Sequence, residues 1–100
     1  MTPINQKYLD EVRRIVTRRL ANTGAEAILF GSCARGDTHR ASDIDVAVGG
    51  TDRLPAALLS GLREELEESW IPYRVEVFDL REAGESLRKS VAAEGVRWTA

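Results

Sequence analysis

The chain has 100 residues, a length that suits one small domain (residues 1–100) with a single hydrophobic core. Apolar residues make up 43% of it, yet no apolar run approaches the roughly 20 residues that span a bilayer. The net charge of −2 argues against broad binding to nucleic acid, which needs a basic surface. The N-terminus lacks a signal-peptide pattern and the single Cys33 excludes an internal disulfide, so we expect a cytoplasmic location.

The first predicted element is an amphipathic helix over residues 4–21. Its apolar side chains recur at helical spacing and therefore share one face; they are Ile4, Tyr8, Val12, Ile15, Val16 and Leu20. Gly24 follows, and glycine commonly takes the left-handed conformation that ends a helix. The rest of this helix is basic, and residues 64–68 make a later helix acidic. We interpret both as solvated faces, the alternative being a patch that binds a partner.

Two strands are predicted next, separated by a polar connection. Residues 26–31 are an apolar run that ends in a glycine, and residues 42–48 alternate polar and apolar side chains. A short helix is expected directly after Gly31, and residues 35–41 form the polar loop that leads to the second strand. The first half of the chain therefore reads as helix, strand, short helix and strand.

A second main helix is predicted after the glycine pair at residues 49–50. Asp52 is a suitable N-cap for it, and Pro55 is expected in its first turn, where the missing N–H does least harm. An apolar row continues to Ser69 along one face; it consists of Leu54, Leu58, Leu62 and Leu66.

The chain is predicted to close with a strand and a helix. Residues 73–78 alternate as a strand does, and residues 81–94 have Leu87 and Val91 at helical spacing. Gly95 is the expected stop, and the residues after it are predicted to trail off the helix. Trp70 and Trp98 are interpreted as core or interface aromatics, because no basic groove accompanies them.

Two acids stand one residue apart on the second predicted strand. Because side chains alternate across a strand, Asp43 and Asp45 leave on one face while Ile44 and Val46 leave on the other. Aspartate is depleted in strands, so a pair within one short strand calls for a functional explanation. Carboxylate oxygens are ligands that Mg²⁺ prefers, and Mg²⁺ bridges phosphate groups. The alternative to a functional role is that the two acids form the solvent-facing edge of a half-buried strand.

A glycine-serine turn precedes these acids. Gly31 permits close approach of backbone to a triphosphate, and Ser32 can donate its hydroxyl and N–H from a helix start. Arg35 offers a guanidinium fork for phosphate oxygens. Each also has an ordinary interpretation: a strand-ending glycine, a helix N-cap and a solvated loop arginine.

A third carboxylate is expected from residues 73–78, with two candidates. Alternation places Glu76 on the face opposite Val75 and Val77, whereas Asp79 points to the Val75 side or lies at the strand end. Glu76 is therefore the preferred third ligand.

These motifs carry a family resemblance. The run from Phe30 to Val48, with GSCARGD and then SDIDVAV, resembles the minimal nucleotidyltransferases of the DNA polymerase beta-like nucleotidyltransferase superfamily. The resemblance extends to residues 73–80 and 93–96 and so covers nearly the whole chain. It implies an α/β (α+β) fold: a small sheet of mixed strand direction, with helices packed on one face and the acidic face left open. The family usually has Asp where this chain has Glu76.

The resemblance also implies an activity. Asp43, Asp45 and Glu76 are expected to be catalytic and to ligate two Mg²⁺ ions, while Gly31, Ser32 and Arg35 bind the phosphates of ATP. Minimal members of the family are often antitoxins whose partner is a helical HEPN-type toxin. The implied reaction is adenylylation (AMPylation) of a tyrosine hydroxyl on that toxin, within a homo- or hetero-oligomer.

Two other functions stay open at this point. The longer Glu76 side chain shifts its oxygens, and Mg²⁺ demands near-ideal geometry, so the chain could be a binding module that masks a partner by contact alone. A transferase acting on a small acceptor of the aminoglycoside type is the third hypothesis, which the short chain disfavours.

Overall fold

The computed structural model describes residues 6–31, 44–50 and 54–98. The described helices are α1 (Gln6–Leu20), α2 (Ala56–Glu68) and α3 (Glu85–Glu94). The described strands are β1 (Glu26–Phe30), β2 (Ile44–Gly49), β3 (Val75–Asp79) and β4 (Val96–Arg97). The α+β class is confirmed. The expected short helix after Gly31 and the Asp52 cap lie outside the described residues, and Pro55 immediately precedes α2 instead of lying in its first turn.

The four strands form one mixed sheet in the order β3-β2-β1-β4. β1 is antiparallel to both β2 and β4, whereas β2 and β3 are parallel. In this register Asp45 lies opposite Phe30 on one side and Glu76 on the other. The outer edge of β3 is not paired with another described strand.

The main core lies between one face of the sheet and the helices α1 and α2. The apolar rows predicted for these two helices supply most of its helical side chains; the buried ones are Val12, Ile15, Val16, Leu20, Leu59, Leu62 and Leu66. Alternate strand residues meet them; they include Ala27, Leu29, Ile44, Val46, Val48 and Val77. Complete burial of Leu62 alone stabilises the fold by roughly 2 kcal/mol.

A smaller core lies on the opposite face of the sheet, against α3. Val91 of α3 is buried with Phe30 and Ala47, and the rings of Phe30 and Phe78 meet edge to face at 5.5 Å. The expectation that helices cover one face therefore holds for α1 and α2 and is wrong for α3. An apolar stripe on a helix predicts that it packs on the sheet but carries no information about which face it covers.

The chain after α3 also differs from the prediction. Instead of trailing off, Val96 and Arg97 pair with Leu29 and Ile28 as strand β4. The N–H of Trp98 donates to the carbonyl of Ala27 at 2.9 Å, and the Trp98 side chain is only 8% exposed. Pairing with a distant strand fixes this segment, and no local pattern predicts such pairing.

The third helix begins at Glu85, four residues later than predicted. The intervening residues form a turn because Arg81 is held away from a helical path: its guanidinium donates to Asp79 at 2.9 Å and to the carbonyl of Leu54 at 3.1 Å. Gly84 then takes an extended conformation as the N-cap. Side-chain bonding at Arg81 thus sets where the helix starts.

The basic α1 and the acidic α2 are paired with each other in part. Glu65 of α2 accepts hydrogen bonds from the guanidinium groups of both Arg18 and Arg19 of α1. The hydrogen bond from Arg19 is the main reason why the pKa of Glu65 lies below its usual value. Among the described helices, none is both long and apolar enough to cross a membrane.

Candidate active site

The structure places Asp45 and Glu76 side by side. They are register partners on the parallel strands β2 and β3, and adjacent strands lie about 4.8 Å apart. Alternation puts both carboxylates on the face opposite α1 and α2, together with Phe30 of β1. Both side chains are half-buried. A cation that both carboxylates could reach would relieve the repulsion between them.

Gly31 closes the site at the end of β1. Its φ of +78° is a left-handed conformation that residues with a side chain rarely adopt. A Cβ at this position would lie 2.7 Å from Oδ2 of Asp45, closer than a real Cβ contact. Glycine is therefore required here twice, once by the backbone angle and once by the neighbouring carboxylate. This close approach of backbone to an acid was not predictable from the sequence motif alone.

Glu76 is paired with an arginine from its own strand region. The guanidinium of Arg74 lies 3.0 Å from Oε1 of Glu76, and the two side chains are 73% and 32% exposed. Residues 74 and 76 share a face because they are two apart along an extended segment. Arg74 therefore offsets part of the negative charge at the site.

Asp79, the alternative third acid, has a different environment. Alternation places it on the side of Val75 and Val77, away from Asp45. Its carboxylate accepts hydrogen bonds from the side chain and the backbone N–H of Arg81, at 2.9 Å in each case. The hydrogen bond from the Arg81 side chain, above all, lowers the pKa of Asp79 below its usual range. Asp79 and Glu76 thus each pair with an arginine, but of the two only Glu76 lies on the face of the sheet that carries Asp45.

Three of the predicted site residues, Ser32, Arg35 and Asp43, lie outside the described residues, so their roles remain predictions. Within residues 6–31, 44–50 and 54–98, no group of three or more His, Cys, Asp or Glu side chains could hold a metal ion. The Asp45–Glu76 pair nevertheless fits a hard divalent cation, because it offers carboxylate oxygens from partnered positions of neighbouring strands on one face of the sheet.

A groove of about 680 Å³ runs along the outer edge of β3 and includes Glu76 in its lining. α2 supplies the opposite wall through Arg63, Leu66 and Glu67, and residues 71–75 line the approach to the strand. Arg63 donates a hydrogen bond to the carbonyl of Val77 at 2.9 Å and so ties the helix to the strand edge. No sequence pattern predicts this groove, because edge position in a sheet is a property of the whole topology.

Comparison with known proteins identifies the family. The family model "Polymerase beta, Nucleotidyltransferase" matches residues 21–97, and the chain belongs to this family. The matched range includes Gly31, Asp45 and Glu76, the described residues that the fold brings to one end of the sheet. The protein is accordingly a nucleotidyltransferase.

Solved structures place it more narrowly. The chain is similar to a putative minimal nucleotidyltransferase, with 28% identity, a TM-score of 0.73 and coverage of 93% of this chain and 95% of the other. It is also similar to a toxin–antitoxin structure with AMP-PNP, with 30% identity, a TM-score of 0.68 and coverage of 86% and 71%. A mutant of the MntA–HpeT toxin–antitoxin pair is 26% identical, with a TM-score of 0.67 and coverage of 95% and 72%. No curated protein sequence matches significantly.

Proposed function

We propose that this nucleotidyltransferase transfers AMP from ATP to a tyrosine hydroxyl of a HEPN-type toxin and thereby acts as its antitoxin in the cytoplasm. The observation that carries the proposal is the in-register pair Asp45 and Glu76 beside Gly31. The similarity to a toxin–antitoxin structure with AMP-PNP supports both the adenine nucleotide and the kind of partner.

The reaction would be a displacement at the α-phosphate of ATP. The acceptor oxygen forms a bond to the α-phosphorus, the bond between that phosphorus and the oxygen leading to the β-phosphate breaks, and pyrophosphate leaves. Bound Mg²⁺, held by Asp45 and Glu76 together with the predicted ligand Asp43, would supply charge stabilisation for the attacking and leaving oxygens. Glu76, at the outer strand, is the carboxylate that accepts the proton of the hydroxyl.

The remaining residues of the site would position the triphosphate. Because Gly31 has no Cβ, the Asp45 carboxylate can lie against the backbone there, and Ser32 and Arg35 are the predicted donors to the phosphate oxygens. Arg74, which is 73% exposed, pairs with Glu76 and would have to release it when a cation binds there.

The test is incubation of the purified protein with radiolabelled ATP, Mg²⁺ and a purified HEPN-type partner. Label is expected on the partner with the wild-type protein and is expected to fall at least about a hundredfold in Asp43→Asn and Asp45→Asn. Asp79→Asn is the matched control, because it removes the same charge from the opposite face and should leave labelling intact. Circular dichroism verifies that every variant is folded.

Masking by contact alone is the second candidate function, and it has a specific observation in its favour. Glu76 is longer than the family's usual Asp and is engaged by Arg74. In that case toxin neutralisation would survive both Asp43→Asn and Asp45→Asn, and no label would be transferred. Neutralisation that disappears together with the label supports the enzyme.

A further inference from the structure

We propose that the groove along the outer edge of β3 docks an extended, basic segment of the acceptor protein, which adds to the sheet as a further strand. This inference rests on the proposed function in that the docked segment belongs to the protein that receives AMP. The groove, its backbone groups, its aromatic end and its charged rim each argue for this occupant.

The backbone of β3 offers hydrogen-bonding groups to the groove. The carbonyl of Arg74 accepts from the N–H of Ile44, and the N–H of Leu80 donates to Val48, so even-numbered residues of this strand face β2. Because N–H and C=O groups alternate in direction along a strand, those of Val75 and Val77 point away from β2. An outward row of donors and acceptors selects an extended polypeptide.

Arg63 limits where such a segment can pair. Its guanidinium already occupies the carbonyl of Val77 at 2.9 Å. Within residues 75–77, the groups left for a docking strand are the N–H and C=O of Val75 and the N–H of Val77. These lie at the start of β3, next to Glu76, and Glu76 is the register partner of Asp45. A segment paired there would lie at the same end of the sheet as the proposed reaction.

An aromatic cluster adjoins this end of the groove; its Tyr8 and Tyr73 are partly buried and its Trp70 is exposed. Tyr73 lines the groove, its ring lies 5.6 Å from that of Tyr8, and Tyr8 lies 5.3 Å from Trp70. Trp70 is 59% exposed, the most exposed of the large apolar side chains in the described residues. A large ring that is positioned by its neighbours and yet exposed to water is typical of a binding anchor, because little side-chain freedom remains to be lost.

The charge of the rim favours basic side chains on the occupant. Glu64, Glu67 and Glu68 of α2 are exposed, and none forms an ion pair with a described residue. Glu65 of the same helix, by contrast, is paired with two arginines of α1. The two arginines that line the groove are already engaged, Arg63 by the Val77 carbonyl and Arg74 by Glu76. A hydrogen bond to a carbonyl leaves the positive charge of Arg63 in place, so the groove lining itself is balanced, with two arginines against Glu67 and Glu76. The acidic excess beside the groove comes from Glu64 and Glu68 of α2.

The test measures binding of a purified HEPN-type partner by calorimetry. Val75→Pro removes an outward N–H that β2 does not use, Trp70→Ala removes the aromatic anchor, and Glu67→Lys reverses a rim charge. Each is expected to weaken binding and so to raise the dissociation constant at least about tenfold. Matched controls are Val96→Ala, an exposed apolar residue elsewhere, and Glu82→Lys, an exposed acid outside the groove; both should stay within about twofold.

Hydrogen exchange gives a second readout that does not depend on a variant. The amides of Val75 and Val77 in the wild-type protein should gain protection when the partner binds, because a docked strand would cover them. Binding without protection at these two amides, or with all three groove variants as tight as their controls, overturns the docking proposal.

The labelling reaction separates this proposal from the proposed function. If the groove variants bind the partner and label it as the wild type does, while Asp45→Asn transfers no label, the groove proposal fails and the transferase proposal stands. If the groove variants lose binding but the wild-type complex never transfers label, the transferase fails and the docking surface stands. A wild-type protein that binds no such partner overturns both.

Discussion

At the scale of single residues, Gly31 is constrained both by its backbone angle and by the Asp45 carboxylate beside it. Its left-handed φ and the contact that a Cβ would make with Asp45 are two separate demands on one position. Gly24 has nearly the same φ, +79°, but no atom lies within 4 Å of its hypothetical Cβ. The two glycines therefore allow the backbone cost of a substitution to be separated from its effect on the carboxylate.

We expect Gly31→Ala and Gly24→Ala both to lower the free energy of unfolding by about 1 kcal/mol, the cost of a left-handed alanine. Only Gly31→Ala should also reduce AMP transfer, by at least about tenfold, because Asp45 must move. Urea titration and the labelling assay measure the two effects. Equal activity in both variants would show that Asp45 tolerates the added methyl group.

Asp79 gives a pH prediction at the same scale. Its pKa is lowered below 3.8, mainly by the hydrogen bond from Arg81, so its ionised form stabilises the folded state. That contribution is fully present above the ordinary pKa and is lost as pH falls through the lowered folded value. Asp79→Asn should therefore lower the free energy of unfolding by roughly 1 kcal/mol near neutral pH, and this difference from wild type should vanish in acid.

Unfolding by urea at a series of pH values checks this. Asp10→Asn, an exposed acid on α1, is the control. If the loss of unfolding free energy in Asp79→Asn stays constant below pH 3.8, the ionised Asp79 carboxylate is not the source of the stabilisation.

At the scale of secondary-structure elements, the two faces of the sheet differ in how much apolar surface they bury. α1 and α2 contribute a continuous row of buried side chains, whereas α3 has Val91 buried and Leu87 only partly so. The face with α3 is also the face that carries Asp45 and Glu76. The helix that buries the least surface therefore packs on the same face of the sheet as the site.

Leu62→Ala and Leu87→Ala apply the same chemical change to the two faces. We expect a loss of about 3 kcal/mol for Leu62, which is fully buried, and about 1 kcal/mol for Leu87. Chemical denaturation of both variants measures the difference. Equal losses would mean that α3 packs more tightly than the partial burial of Leu87 indicates.

The described elements also show what sequence patterns can and cannot predict. α1 and α2 follow from leucine and valine spacing within each helix, and alternation places Glu76 on the face opposite Val75 and Val77. The parallel register that brings Glu76 next to Asp45 is a property of the sheet and follows from no local pattern. β4 could not be predicted, because its two residues are ordered only by pairing with β1. The start of α3 depends on where the Arg81 side chain bonds, which is a contact across the fold.

At the scale of the whole molecule, charge is distributed unevenly although the net charge is only −2. Glu65 of α2 pairs with two arginines of α1, Arg18 and Arg19. The interpretation of these helices as solvated faces is therefore incomplete: part of the charge joins the two helices. The remaining acids of α2 lie beside the groove.

Salt should weaken this pairing. Raising NaCl to about 1 M is expected to lower the free energy of unfolding by about 0.5 kcal/mol through screening, and Glu65→Gln should remove most of that dependence. Glu82→Gln, an exposed acid elsewhere, should leave it unchanged. Thermal unfolding at several salt concentrations measures the effect. An unchanged salt dependence in Glu65→Gln would assign the screening to other charges.

The two tryptophans give the molecule two independent optical reporters. Trp98 is 8% exposed and its backbone is bonded to β1, so its emission should be blue-shifted and should change only when the sheet unfolds. Trp70 is 59% exposed, so an aqueous quencher such as acrylamide should reach it first. The quenchable part of the intrinsic fluorescence therefore monitors the surface beside β3, while the protected part monitors the integrity of the fold in the same cuvette.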